Sequence, residues 1–299
     1  MMVDRPVRDA WLRWLSVTRD RCHIHYRLEG RDLAQHIAVC FASAKETAER
    51  IARDVPRLTP HRVLEIGCSV GFNCLALSRQ YPGAMLVALE PDSEAAAVGR
   101  AMVQHGVEKS IAFVIATGER LPFRDTAFDL IVCHTVIEHV KDVSGVIAEM
   151  ARVISLGGAI HLEAPNYLWP REPHIGVWCI PLLGKRTIRL LARLQGKGRL
   201  VGYLDHLQLV TPRRLERLFQ WHSLVWENRA RTKLHMAASG ESGGIKAYQT
   251  LARFLRIARH VGLAALIVDA AVALGIYPSV LYTISREQAP AVPSARSKT

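Results

Sequence analysis

The chain is predicted to fold as an α/β protein, with a seven-stranded, mostly parallel sheet, helices on both faces, an N-terminal helical cap and two insertions. Three observations predict it. Short apolar runs, such as Met85-Leu86-Val87-Ala88-Leu89 and Leu130-Ile131-Val132-Cys133, alternate with segments of helical periodicity. Strands that are apolar on both faces and separated by helices belong in a parallel sheet with right-handed crossovers. A small-residue turn, Gly67-Cys68-Ser69-Val70-Gly71, follows directly on an apolar strand and precedes a helical pattern. That layout builds a pocket at the carboxyl end of a parallel strand, faced by a helix N-terminus. Finally, 299 residues suffice to bury one full α/β core carrying insertions.

Taken in order, residues 1 to about 30 give a short amphipathic helix around Trp11-Leu12-Arg13-Trp14-Leu15, then a polar connector. Leu33 to Val55 is helical, with Leu33, Ile37, Phe41, Ala44 and Ala48 on one face; Pro56 and Pro60 end it. The first strand runs from Arg62 to Ile66 and the second from Met85 to Glu90. A helix from Ser93 to His105 takes Ser93 as its N-cap. Strands follow at Ile111 to Ile115 and Phe128 to Cys133. A helix from Val143 to Ile154, closed by Gly157-Gly158, leads to a fifth strand at Ala159 to Glu163. The stretch from Pro165 to Val210 is irregular. Thr211 caps a helix that begins at Pro212 and runs through Phe219, and Ser223 to Arg229 is strand six. The second insertion combines a Gly/Ser turn (Ser239 to Gly244) with a long apolar helix before strand seven, Val280 to Ser285. In domain terms, 1–60 is the cap and 61–287 the main domain, with insertions at 166–211 and 231–276. The tail 288–299, rich in Pro, Ala and Ser, is expected to be disordered.

The formal net charge of +12 suggests an anionic partner without specifying one. Six scattered cysteines, with no Cys-x-x-Cys pair, read as reduced structural thiols of a cytoplasmic protein. Cys22 with His23 and His25 supplies no fourth ligand, and no metal site is expected. Asp4, Asp9 and Asp20 interrupt the N-terminal arginines, so neither a secretory signal nor a transit peptide is expected.

Four motifs carry a family resemblance. Glu65-x-Gly67-x-x-x-Gly71, then Glu90, then Gly118-Glu119-Arg120-Leu121-Pro122-Phe123, then Phe128 to Val140 stand in the order and spacing of class I S-adenosylmethionine-dependent methyltransferases. The chain resembles the small-molecule and lipid-type branch of that family over residues 60 to about 165, plus the closing helix and two strands. The resemblance implies a Rossmann-like fold and S-adenosyl-L-methionine as cofactor. It also implies cofactor contacts from Glu65, Gly67, Cys68, Ser69, Gly71, Asn73, Glu90, Pro91, Gly118, Glu119, Arg120 and His134.

The residue chemistry agrees. Gly67 and Gly71 allow a tight turn beneath a bulky ligand, where a Cβ would collide with it. Glu65 can accept from the ammonium of a methionine moiety, and Glu90 from both hydroxyls of a ribose. Glu119 stands where the family's acid accepts from the adenine amino group, with Leu121 or Phe123 against the ring. Glycine is frequent in the family at the position of Ser69. A dinucleotide rival expects Gly-x-Gly-x-x-Gly to seat a pyrophosphate; Gly67 to Phe72 lacks the middle and last glycines, and Glu65 is awkward beside a diphosphate.

His134 to His139 should line the mouth of the site. His139 or His134 is a candidate base, and Asp205-His206 a second, although holding the loop is favoured over base catalysis for Glu138-His139. Methyl transfer from a sulfonium needs mainly alignment, so an essential base need not exist. Acceptor specificity is assigned to the first insertion, whose Trp169, Arg171, Glu172, His174, Trp178, Tyr203, Asp205 and His206 offer aromatic walls and polar handles. From Phe254 to Leu281 a basic helix runs into an apolar one. It is too short for a membrane span, and packing on the sheet is favoured over lying on an anionic membrane at its inner face. The expected activity is O-methylation of a small hydroxylated molecule, a glycan or a lipid-linked acceptor. RNA methylation is the alternative, favoured by net charge alone, because the basic residues are not striped along one helix. A non-catalytic cofactor-binding scaffold is a third reading, against which the complete motif set speaks.

Overall fold

The structure, a computed structural model, describes residues 4–18, 32–105, 111–239 and 246–286, with the side chains of 246–250 outside that description. The 288–299 tail, the Ser239–Gly244 turn beyond its first residue, and Cys22, His23 and His25 lie outside the described residues.

The N-terminal region contains α1 (Arg5–Thr18) and α2 (Leu33–Asp54). Trp11 and Trp14, one turn apart on α1, are fully buried. They pack with Ile37 against Val70, Ala95 and Val98. Strand β1 (Arg62–Ile66) leads to α3 (Phe72–Gln80), β2 (Met85–Leu89), α4 (Ser93–Gln104) and β3 (Ile111–Val114). Asp92, not Ser93, is the N-cap of α4: its Oδ1 accepts from Glu94 N at 3.0 Å and Ala95 N at 3.4 Å. Both residues are competent caps, and the one whose carboxylate reaches two orphan amides takes the role.

Strand β4 (Phe128–His134) is followed by α5 (Val143–Val153) and β5 (Ile154–Pro165). Gly157-Gly158 do not close α5 as expected. β5 starts immediately after the helix, and Gly157, at φ +80°, and Gly158 lie inside the strand. There the pairing with β4 shifts, from Phe128↔Ile154 to Leu130↔Ala159. A glycine pair licenses a positive φ in a strand irregularity as readily as at a helix end.

The stretch after β5 is also more regular than expected. It holds a two-residue ribbon, β6 (Arg171–Glu172) with β7 (Val177–Trp178), then α6 (Gly184–Leu194) and a 3₁₀ segment Gly198–His206. Tyr167, Ile175, Val177, Ile188, Ala192, Tyr203 and Leu204 give this insertion a small core of its own. Helix α7 (Pro212–Trp221) is capped by Thr211, as expected, and β8 (Leu224–Asn228) follows. In place of one long apolar helix the second insertion supplies three, α8 (Ala230–Ser239), α9 (Lys246–His260) and α10 (Ala264–Leu274), before β9 (Ser279–Arg286).

The seven-stranded sheet has the order β3-β2-β1-β4-β5-β9-β8, parallel except for β9, which runs antiparallel to β5 and β8. Strand order reverses between β1 and β4, so the loops leaving their carboxyl ends diverge and open a crevice. One core layer packs α5, α7 and β8 against the sheet; the other is built from α2, α3 and the opposite sheet face.

Candidate active site

The crevice begins at Glu65, at the end of β1 and only 3% exposed. Asn73, in the first turn of α3, donates from Nδ2 to Glu65 Oε1 at 2.9 Å. Oε2 is buried without a partner in hydrogen-bond geometry. Burial pushes the Glu65 carboxyl up to about 7, against donors from Cys74 and Asn73, and nearby Glu90 adds repulsion. An unpartnered buried carboxylate oxygen costs free energy, and a cationic donor from a ligand would remove that cost.

The turn after β1 is tight. Gly67 N and Cys68 N both donate to Leu89 O, at 2.8 and 3.0 Å. Gly67 has φ +69°, and a Cβ there would meet Val136 Cγ2 at 2.4 Å. At Gly71, φ is +84° and the neighbour is Phe113 Cζ at 3.0 Å. The crowding expected from a ligand thus comes, in this structure, from side chains on the β4 loop and on β3. Ser69 occupies the left-handed region at φ +51°. Its N–H donates to Glu90 Oε2 at 2.8 Å, while Asp92 N donates to Oε1 at 3.0 Å. Glu90 therefore ties the turn to the start of α4, and each oxygen keeps acceptor capacity. Burial raises its pKa, opposed by these two N–H donors.

The other expected contact residues have these surroundings. Cys68 is buried and Pro91 and Arg120 are exposed. Glu119 Oε1 accepts from Lys141 N at 2.8 Å, pinning the loop after β4. Partial burial opposes it, but backbone donors hold Glu119 below its ordinary pKa. Gly118 is packed against Ile66 and Val146. Leu121 is buried in the main core, and Phe123 meets Phe128 edge-on at 4.9 Å, so both are engaged by the protein itself.

His134 is engaged by the neighbouring strand. Its Nε2 lies 2.7 Å from His161 Nδ1 on β5, and His161 Nε2 lies 2.8 Å from Asp54 Oδ2 on α2. With Asp54 as a carboxylate acceptor, His161 donates through Nε2 and His134 through Nε2, which leaves the unshared pair on His134 Nδ1. Burial, then the neighbouring imidazole, lowers His134 well below its ordinary value, and burial lowers His161, so both rings are neutral at pH 7. Beside them Glu163 pairs with Arg50 of α2 at 2.6 Å and with Lys233 of α8, which also donates to Ser279 Oγ at 3.1 Å. Against burial, Arg50 and Lys233 hold Glu163 well below the usual carboxylate range, and burial brings Lys233 down to about 8. Nothing local in the sequence marks this network.

A second cluster sits where the β4 loop meets the first insertion. His139 Nε2 and His174 Nε2 stand 3.6 and 3.7 Å from Glu138 Oε1. Glu172 Oε1 lies 2.7 Å from His174 Nδ1, and Tyr203 packs on the His174 ring at 5.2 Å. Burial opposes it, but Glu138 and Glu172 push His174 up to about 9. Of the expected acceptor-facing residues, His174 and Tyr203 thus meet His139, with Glu172 behind His174. Asp205 and His206 do not. The 3₁₀ segment turns Tyr203 and Leu204 inward and leaves both exposed, with Asp205 paired to Arg189. Trp169, Arg171 and Trp178 instead line a cavity of about 410 Å³ shared with Phe254, Leu255, Ile267 and Ile276, between the two insertions.

Comparison with known proteins adds to this geometry. Residues 64–162 match the model of a methyltransferase domain family. A norajmaline N-methyltransferase of Rauvolfia serpentina is 37% identical over 109 residues, 36% of this chain and 37% of that protein. A ubiquinone biosynthesis O-methyltransferase of Bradyrhizobium sp. (strain ORS 278) is 31% identical over 121 residues, 40% of this chain and 46% of that protein. The match therefore spans less than half the length of these relatives. Geranyl diphosphate C-methyltransferase from Streptomyces coelicolor A3(2), solved with Mg2+, geranyl diphosphate and S-adenosyl-L-homocysteine, superposes with a TM-score of 0.51 at 14% identity. That likeness covers 81% of this chain and 78% of that one, and concerns the fold alone.

Proposed function

Residues 64–162 are a class I S-adenosylmethionine-dependent methyltransferase domain, and from that premise we propose that the chain methylates a small hydroxylated acceptor carrying an apolar tail, a lipid-linked molecule in the first instance. The observation that carries the cofactor assignment is Glu65 Oε2, a buried acceptor lacking a partner beside a second carboxylate, Glu90. Glu65 would take the ammonium and Glu90 the ribose diol, with Gly67, Ser69 and Gly71 supplying bare or nearly bare backbone between them. Bound S-adenosylmethionine would supply an electrophilic methyl group. The chain's own residues align the acceptor: the β4 loop and the first insertion close the mouth, with His139, 34% exposed at its side chain, available at its rim. Neither Asp205 nor His206 is retained as a base.

The tail assignment rests on the apolar cavity between the insertions and on its surroundings. Phe254, Ile257, Val261, Leu263 and Leu266 are exposed on and beside α9 and α10, interleaved with Arg253, Arg256 and Arg259. Exposed apolar area flanked by arginines suits a peripheral contact with an anionic membrane surface. Among the described residues no helix is long and apolar enough to cross a membrane.

Calorimetry with S-adenosylmethionine tests the first half. Glu65→Gln and Glu90→Ala should each weaken binding at least ~10-fold, the loss of one charge-assisted hydrogen bond. Unchanged affinity in both would remove the assignment. Gly67→Arg is not a clean probe, because Val136 leaves no room for a side chain. For the second half, a lipid extract offered with radiolabelled cofactor should yield an organic-phase product. Label transferred only to RNA would refute the lipid acceptor.

A further inference from the structure

We propose that Glu138, His139 and His174 bind one divalent first-row transition cation, of the Zn2+ or Fe2+ kind, where the β4 loop meets the first insertion. The three side chains offer ligand atoms that all lie within 4.8 Å of one another. Both imidazole Nε2 atoms face the same carboxylate oxygen, Glu138 Oε1, at 3.6 and 3.7 Å. These separations exceed a hydrogen bond. They match the spacing of about 3–4 Å between neighbouring ligands on a cation held at about 2.0–2.2 Å, which small side-chain rotations would complete. Two histidines and one carboxylate form a set that leaves coordination positions open.

An independent observation points to a ligand. Glu138 is 0% exposed, yet neither of its oxygens has a partner in hydrogen-bond geometry. His174 balances its charge only from 3.7 Å, beyond hydrogen-bond reach, and a cation coordinated between the two would turn that long contact into bonds.

The surroundings are those of a supported ligand set. Glu172, itself fully buried, accepts from His174 N at 3.1 Å and Ile175 N at 2.7 Å, and its Oε1 lies 2.7 Å from His174 Nδ1. With a cation bound, that contact would hold the remaining ring proton on Nδ1 and leave Nε2 to the metal, the outer carboxylate arrangement common to histidine ligands. Tyr203 stacks on His174 and meets His139 edge-on at 6.0 Å, fixing both rings. The partial exposure of His139 leaves one side open to an oxygen ligand from the acceptor. That use of the cation rests on the methyltransferase reading above; the binding itself does not.

Chelator-treated full-length chain should be titrated with Co2+, followed by its visible d–d absorption, and then with Zn2+ in competition. One saturable site per chain is expected. His139→Ala, His174→Ala and the isosteric Glu138→Gln should each weaken binding at least ~10-fold, and Glu172→Gln about 10–100-fold through the outer shell. His206→Ala, exposed on the insertion, should leave it unchanged. Circular dichroism and cofactor affinity of each variant report whether it is folded. Absence of saturable binding, or binding that survives in a folded His139→Ala/His174→Ala double variant, would overturn the site and leave a proton on His174 as the occupant of the cluster. A wild-type chain that binds Co2+ but not S-adenosylmethionine would sink the methyltransferase reading and spare this one.

Discussion

Ser69 shows how a single side chain records a conflict between backbone and sequence. Its φ of +51° belongs to the left-handed region, which costs a residue with a Cβ about 1 kcal/mol or more. Ser69→Gly should therefore stabilise the fold by about 1 kcal/mol in urea denaturation, less the extra entropy glycine brings to the unfolded chain. Cofactor affinity should persist, because the Ser69 N–H that Glu90 accepts is retained. Glu65 makes a pH-dependent prediction. Its carboxyl is raised to about 7, so the free protein holds a proton there below that pH. A cationic ammonium selects the ionised form, so affinity for S-adenosylmethionine should be level above pH 7. It should fall about tenfold per unit below, with a proton released on binding. The sign for stability follows: the raised pKa favours the folded state at low pH, and this contribution is lost as pH rises from about 4.5 through 7. Calorimetry in buffers of different ionisation enthalpy measures the released proton; a flat profile from pH 5.5 to 8 would exclude Glu65 as the ammonium partner.

Among the elements, α1 has the clearest structural task. Trp11 meets Trp14, His36 and Phe72 at ring distances of 5.5 to 6.0 Å, and Trp14 Nε1 donates to Asp92 Oδ2 at 3.3 Å. The helix thus covers the residues next to the glycine turn and the cap of α4. Trp11→Ala should cost about 3–5 kcal/mol, the usual loss for a buried tryptophan, and lower cofactor affinity through the loosened turn. Protease protection of α1 that matches wild type would contradict this. Helix α8 adds a buried cation to its apolar anchors Ala230, Leu234 and Ala237. Lys233→Met removes a partner of Glu163 and leaves Arg50 to balance it alone. Breaking a buried pair from one side costs about 3–5 kcal/mol, so a drop of that size in urea denaturation is expected, whereas a neutral result would show that Arg50 suffices. The helix N-terminus at Thr211-Pro212 and the strand boundaries around β1 and β2 were legible because caps, proline and alternation are local signals. The N-cap at Asp92 and the glycine pair within β5 were not, since neighbouring residues were equally competent there and only packing chose between them.

For the molecule as a whole, the proposed function assigns the acceptor to the two insertions and the cofactor to the carboxyl end of the sheet. Salt provides a check on the basic surface. If Arg253, Arg256 and Arg259 meet anionic lipid, cosedimentation with phosphatidylglycerol vesicles should weaken as ionic strength rises. Phe254→Ser with Ile257→Ser should reduce it even at low salt. Binding that is indifferent to both would place the apolar face in another role. What could be read from the chain alone was whatever repeats at short range: apolar strands, the acid at the end of β1, a glycine turn, a second acid after β2. These features follow from backbone geometry within a few residues, and they were enough for the fold and the kind of cofactor. The His161–Asp54 pair, 107 residues apart, and the meeting of Glu138 and His139 with His174 required the folded chain. So did the outward turn of Asp205 and His206. Burial decides which of many histidines and carboxylates are held together, and burial arises only when helices and insertions close over the sheet.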